Sequence, residues 1–253
     1  MQLTDHPHGC YRFASGIAPY SAGVTAMPGY EIVRAVLAAP LPVREGFRRI
    51  EQILTERGRP RAALCAMELR SPAPFTFDGF VQFNAGYRAI LEEWGLLVGG
   101  QNPVARTNIA PAVHPPAEPS LYAFSFTVPA NAPSGMPTFI VAGAGDLRDQ
   151  AELTPAAIVR GGETSAAAMA VKAATVMDVM DERLAAVGAS WAQATAVNVY
   201  TVQPLHSLLT GLILDRIGPA AHRGVTWHYS RPPIAGLEFE MDVRGVRQEE
   251  VVA

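Results

Sequence analysis

Two residues near the C-terminal end have the types and spacing to do chemistry together. Arg223 precedes the alternating run Gly-Val-Thr-Trp-His-Tyr-Ser, and Glu238 lies on the next apolar-polar segment, past the turn at Arg231-Pro232-Pro233. A guanidinium is a planar fork of donors that grips a carboxylate through two parallel, charge-assisted hydrogen bonds. A carboxylate nearby can aim water and move protons. The first half carries a similar arginine, Arg106, after Asn102-Pro103-Val104-Ala105 and at the head of an extended run. Asn84 and Tyr87 share one face of a helical stretch, Gly143 ends an apolar run, and Trp227 alternates with His228 and Tyr229, which would turn a flat aromatic surface toward a conjugated ligand. Each has a plainer reading beside the chemical one. Arg223 can be a surface ion pair, and Glu238 can share a solvated strand face with Glu240 and Asp242.

Other chemistries find little footing. Lys172 is the sole lysine and lies mid-helix among alanines, so a Schiff-base mechanism has one poor candidate. The six histidines show no metal-ligand spacing, and no metal and no cofactor are expected. Gly143-Ala144-Gly145 lacks the third glycine of a dinucleotide loop, Arg148 standing in its place, and reads as a tight turn. The Gly-x-Ser-x-Gly elbow of serine hydrolases is missing, and Cys10 and Cys65, the two cysteines, read as reduced thiols.

The elements that must position these residues follow from periodicity. Val43, Phe47, Ile50 and Leu54 step as a helix ended by Gly58, and Phe80, Phe83, Tyr87, Ile90, Leu91 and Trp94 form a second stripe, capped by Asp78 and closed at Gly95. Met169, Val176, Met177, Met180, Leu184 and Val187 mark a third helix, capped by Thr164 or Ser165, and Leu205–Ile217 a fourth. Strands are expected at 61–70, 107–113, 121–128, 138–142, 156–160, 194–202, 225–229 and 237–243. The order strands, helix, strand, helix, two strands occurs twice, and laying 65–69 on 195–199 brings the halves into step. This predicts a tandem duplication, with domains at 1–132 and 137–253 joined by the turn-rich segment 131–137.

With 253 residues, 49% of them hydrophobic, the chain has ample material for a core. Twenty basic and 23 acidic residues without a basic run argue against nucleic acid as a partner. The N-terminus lacks an export signal and no apolar stretch is long enough for a bilayer, so a cytoplasmic protein with no membrane partner is expected.

The run from Arg223 to Glu238, the strand Phe139-Ile140-Val141-Ala142-Gly143, and the helix with Asn84 and Tyr87 together resemble the Rid/YjgF family of enamine and imine deaminases. The resemblance spans nearly the whole chain and rests on the order of the pieces. It implies an α+β fold of two chorismate-mutase-like (YjgF-like) domains, each a mixed sheet with two helices on one face. It further implies a homo-oligomer, expected to be a trimer, with sites between neighbouring domains. The implied activity is cofactor-free hydrolysis of a 2-aminomuconate-like or 2-aminoacrylate-like enamine or imine to a 2-oxo acid and ammonia. Arg223 would then bind the substrate carboxylate and Glu238 would orient water, with Arg106, Asn84, Tyr87, Gly143 and Trp227 lining the pocket. The sequence departs from the pattern at Asn108 and Val225, where the family often has cysteine, and at Leu121-Tyr122, where a glutamate belongs. Two rivals stay open: a chorismate-mutase-like enzyme for a cyclic carboxylate, and a non-catalytic metabolite-binding protein.

Overall fold

The computed structural model describes residues 1–130 and 136–253. Two sheets lie face to face with helices on their outer sides. Strands β1 (Leu3–His6), β2 (Tyr11–Ala14), β3 (Gly23–Ala26), β8 (Phe139–Gly145), β12 (Glu240–Gly245), β9 (Ala196–Tyr200) and β10 (Thr226–His228) form one sheet, in the order β1-β2-β3-β8-β12-β9-β10. The other has the order β11-β6-β5-β7-β4-β13, from β4 (Tyr30–Pro42), β5 (Leu64–Arg70), β6 (Ala105–Pro111), β7 (Ser120–Pro129), β11 (Ser230–Arg231) and β13 (Gln248–Val252).

Helices α1 (Val43–Glu56) and α2 (Phe77–Glu93) cover the six-stranded sheet. Phe47, Ile50, Leu54, Tyr87 and Leu91 pack there against Val33, Leu64, Met67, Phe124 and Phe126. Helix α3 (Ala166–Ala186) covers the seven-stranded sheet, burying Met169, Val176, Met177, Met180 and Leu184, the stripe expected from periodicity. A composite helix joins it, α4 (His206–Leu208) running through a π-helical Leu209–Leu214 into α5 (Asp215–Ile217). Ser165 caps α3 as expected, whereas Thr76, two residues before Asp78, caps α2 by accepting from the Gly79 amide.

The expectation of two YjgF-like α+β units is corrected by the strand pairing. β3 from the first half pairs antiparallel with β8 of the second, and β13 from the chain's end pairs parallel with β4. Each sheet leaves an open edge that only the other half fills, because unpaired strand edges seek a partner wherever one is in reach. The result is one mixed α/β fold in which the halves exchange strands, its interior sealed by Phe13, Val24 and Ala142 from one sheet against Ile32, Cys65 and Ala105 from the other. Of the expected linker, residues 131–135 lie outside the described ones. Gly143-Ala144-Gly145 belongs to β8 and makes no turn, and the strand expected at 156–160 is a short 3-10 turn, Pro155–Ala157, with a loop. Among the described residues no helix is long and apolar enough to cross a membrane, and both cysteines are free.

Candidate active site

The site forms where β6 of one sheet meets β8 and β12 of the other. Asn102 sets the entry to β6: its side-chain oxygen accepts from the Val104 amide at 2.9 Å and its amide nitrogen donates to Pro19 O at 2.7 Å. Ser21 Oγ donates to Pro103 O, so the loop carrying Tyr20 is tied to the start of the strand that carries Arg106. Arg106 then enters a collar of rings, its Cζ 4.9 Å from Tyr20, 5.7 Å from Phe80, 5.8 Å from Phe83 and 4.8 Å from Tyr87. Aromatic faces hold a cation without occupying its donors. Arg106 is 2% exposed, yet Nε, Nη1 and Nη2 have no hydrogen-bond partner. Burial weakens its hold on the proton, but a guanidinium stays charged inside a protein, so a buried cation stands here with its whole fork free.

Glu240 faces it from the start of β12 and lines the same pocket, with Tyr20, Phe80, Asn108 and Gly143. Opposite Met241–Val243 the register of β8 shifts, an irregularity of the kind that re-aims side chains at functional sites. Gly143 sits in this irregularity, and a Cβ on it would fall 2.2 Å from Glu240 Oε1 and 3.1 Å from Thr107 Cγ2, so no larger residue fits without displacing the carboxyl. From α3, Arg183 Nη1 holds the same stretch by donating to the carbonyls of Ala142 and Gly143, each at 3.0 Å. Burial, with Asp242 adding to it, pushes the Glu240 carboxyl well above the ordinary carboxylate range; Arg183 and Arg106 pull the other way without cancelling the shift. The buried site therefore favours the neutral, proton-carrying form of Glu240 over the carboxylate. Asn108 donates nothing through Nδ2, while its Oδ1 accepts from Ser71 Oγ. Arg106 and Asn108 thus leave donors free in the pocket beside the Glu240 carboxyl, and Leu147, Leu153, Ile234 and Leu237 give it an apolar wall.

Of the residues singled out in the sequence, Arg106, Tyr87 and Gly143 converge here. Asn84, one turn from Phe80 and Tyr87 on α2, is buried with neither amide atom bonded. Tyr87 donates its hydroxyl to Met67 Sδ and presents its ring to Arg106. Arg223 is placed elsewhere: it ends the 3-10 turn Gly218–Arg223, exposed, before any strand begins. Glu238 precedes β12 and accepts from Gln203 Nε2 at 2.9 Å. Trp227 is 38% exposed, donates Nε1 to Thr201 O and meets His206 edge to face. None of these three lines the pocket around Arg106. The parallel ladders explain the displacement. Arg106 pairs with Met67 and Thr226 with Asn198, so laying 65–69 on 195–199 puts Val225, not Arg223, at the position matching Arg106.

A buried acid beside a free guanidinium, in a half-apolar pocket, is an arrangement suited to acid-base chemistry. The comparisons with known proteins make the class specific: the chain belongs to the 2-aminomuconate deaminase family CnbZ, whose model matches residues 3–250. The 2-amino-5-chloromuconate deaminase of Comamonas testosteroni is 42% identical over 244 residues, 96% of each chain. The protein is an enzyme, a deaminase acting on a C–N bond. This leaves no room for the non-catalytic reading. Among solved structures, a chorismatase crystal structure superposes with a TM-score of 0.50 at 13% identity, covering 89% of this chain and 77% of that one, a likeness of fold alone. A cyanuric acid hydrolase gives a TM-score of 0.40 at 10% identity over 88% and 69% of the two chains.

Proposed function

We propose that the protein hydrolyses a 2-aminomuconate-type enamine to the 2-oxo acid and ammonia, with Arg106 gripping the carboxylate beside the amino-bearing carbon and Glu240 moving the protons. The observation that carries this reading is the buried Arg106 fork without a partner, in one pocket with a buried carboxyl whose pKa burial raises. Glu240 gives its proton to the enamine carbon next to the one bearing nitrogen, leaving an iminium. The resulting carboxylate takes a proton from water as the water oxygen bonds the iminium carbon. Glu240 then protonates the amino group, ammonia leaves, and the hydroxyl proton returns to Glu240 as the ketone forms. The guanidinium draws electron density from the substrate through the carboxylate and favours water attack. The apolar wall of Leu147, Leu153, Ile234 and Leu237 suits the conjugated carbon chain, including one that carries a halogen.

Ammonia release from enzymatically generated 2-aminomuconate, its 5-chloro derivative and 2-aminoacrylate tests the reading. The muconates are expected to turn over with the higher kcat/KM. Arg106→Lys keeps the charge but loses the fork and is expected to lower kcat/KM by about 10²-fold. No ammonia from either muconate, or wild-type kcat/KM in Arg106→Lys, would overturn it.

A further inference from the structure

The sole lysine is an unusual core residue. Lys172 and Asp146 are both completely buried, and Lys172 Nζ donates to Asp146 Oδ2 at 2.7 Å and to Val159 O at 2.6 Å. Asp146 Oδ1 accepts the backbone amides of Glu238 at 2.9 Å and Phe239 at 3.1 Å. The Asp146 carbonyl also accepts from the Val159 amide, so Asp146 and Val159 form the neck of one loop. That loop carries Leu147, Gln150 and Leu153 to the wall of the Arg106 pocket. One ammonium thus fixes both sides of the neck, and through Asp146 it fixes the backbone that leads directly into Glu240.

We infer that the Lys172–Asp146 pair is a positioning element for the deamination, setting the place and the charge environment of Glu240 and the adjacent pocket wall. Stability alone explains such a pair poorly, since a buried ion pair is often no more stabilising than apolar residues of similar volume. Its location explains it better. Asp146 is a buried anion near Glu240, and unpaired it would add to the negative field there; Lys172 neutralises it in place. The remaining groups that face Glu240 are Asp242 on its own strand, Arg106 from β6, Arg183 from α3 and Tyr20 from the β2–β3 loop. The pair supplies a fixed, neutral support, and a change in either partner should be read in the titration of Glu240.

The inference rests on the role proposed for Glu240, and the two fail differently. Wild-type enzyme that releases no ammonia from the muconates sinks the proposed function; active wild-type enzyme with indifferent variants sinks only the positioning role. In Asp146→Asn the amide oxygen still accepts from Glu238 and Phe239, while Lys172 becomes an unbalanced cation. The alkaline limb of the kcat profile, where Glu240 loses its proton, is expected to move acidward by on the order of one pH unit, with kcat lowered about tenfold by the loosened geometry and KM changed less. In Lys172→Met/Asp146→Asn the charge is balanced again, so the limb should return to its wild-type position while kcat stays about tenfold down. A folded single or double variant with wild-type kcat and an unmoved limb, altered only in Tm, would show the pair to be purely structural. If the single variant does not fold, the kcat of the double variant decides.

Discussion

Two arginine-carboxylate clusters lie between the sheets, and they are built on opposite principles. Around Arg34, every charge is answered: its Nε and Nη2 donate to both oxygens of Glu68 at 2.6 and 2.8 Å, and Nη1 reaches Glu249 at 3.2 Å. Nearby, Asp242 accepts from Thr107, Asn198 and Tyr200. Around Arg106 the same residue types are left unanswered, with three donor nitrogens unpartnered and a carboxyl whose pKa burial raises. Leaving a buried guanidinium unsatisfied costs stability, so the arrangement around Arg106 persists because it is used, while Arg34 ties together β4, β5 and β13 of one sheet and Thr107–Asp242 joins the two sheets.

The largest effect should come from exchanging the acid of the unsatisfied cluster. Glu240→Gln keeps size and hydrogen bonding but cannot transfer a proton, and kcat is expected to fall by about 10²- to 10⁴-fold with KM little changed. Its stability should move the opposite way. Glu240 holds its proton more tightly folded than unfolded, so wild-type stability declines as pH rises past the unfolded carboxyl's pKa toward the folded one. A glutamine escapes that decline. The variant's Tm relative to wild type should therefore be higher at pH 8 than at pH 5. A Tm difference that does not grow with pH would mean that Glu240 is not the raised acid the site requires.

The satisfied cluster should answer to its own substitution in stability and not in chemistry. The Arg34 guanidinium, helped by Arg70 and Arg244, outweighs the cost of burial and holds Glu68 down to about 2 from its ordinary 4.5. Stability from this pair is therefore full above the unfolded pKa and is lost as pH falls from near 4.5 toward 2. A shift of that size corresponds to about 3 kcal/mol. Urea unfolding of Glu68→Gln at pH 7 should show a loss of this order, and the loss should shrink toward pH 3. Ammonia release per folded molecule should stay within about threefold of wild type. A large kcat loss in folded Glu68→Gln would erase the contrast between the clusters.

That contrast was partly legible in the sequence. Arg106 could be singled out because type and spacing are local, Asn84, Tyr87 and Gly143 followed from the family resemblance, and the helices with their stripes followed from the period of 3.6. Glu240 could not be separated from Glu238 and Asp242, since alternation puts all three on one strand face. Which of them meets Arg106 depends on the register of β12 against β8, with its shift between Met241 and Val243, and on how that sheet packs on β6. Asp146 and Lys172 were invisible as partners because their pairing joins a loop to a helix through the folded core. The strand exchange through β3 and β13 was illegible for a similar reason: hydrogen-bonded edges carry no side-chain signature, and order along the chain favoured two separate units.

The smallest expected effect concerns Arg223, the residue the sequence put first. It is exposed at the end of a 3-10 turn, near Trp227 and Tyr229, which are 38% and 57% exposed. In a single copy of the chain it reaches no part of the Arg106 pocket, and Arg223→Ala should change kcat/KM less than about twofold and stability by less than about 0.5 kcal/mol. The homo-oligomer expected from the sequence gives this prediction its edge. If three copies assemble and Arg223 closes a neighbour's pocket, the substitution would instead raise KM sharply, and the loss would track the fraction of trimer seen by sedimentation. Near wild-type kinetics in a variant that sediments as wild type would confine the carboxylate grip to Arg106, inside a single chain.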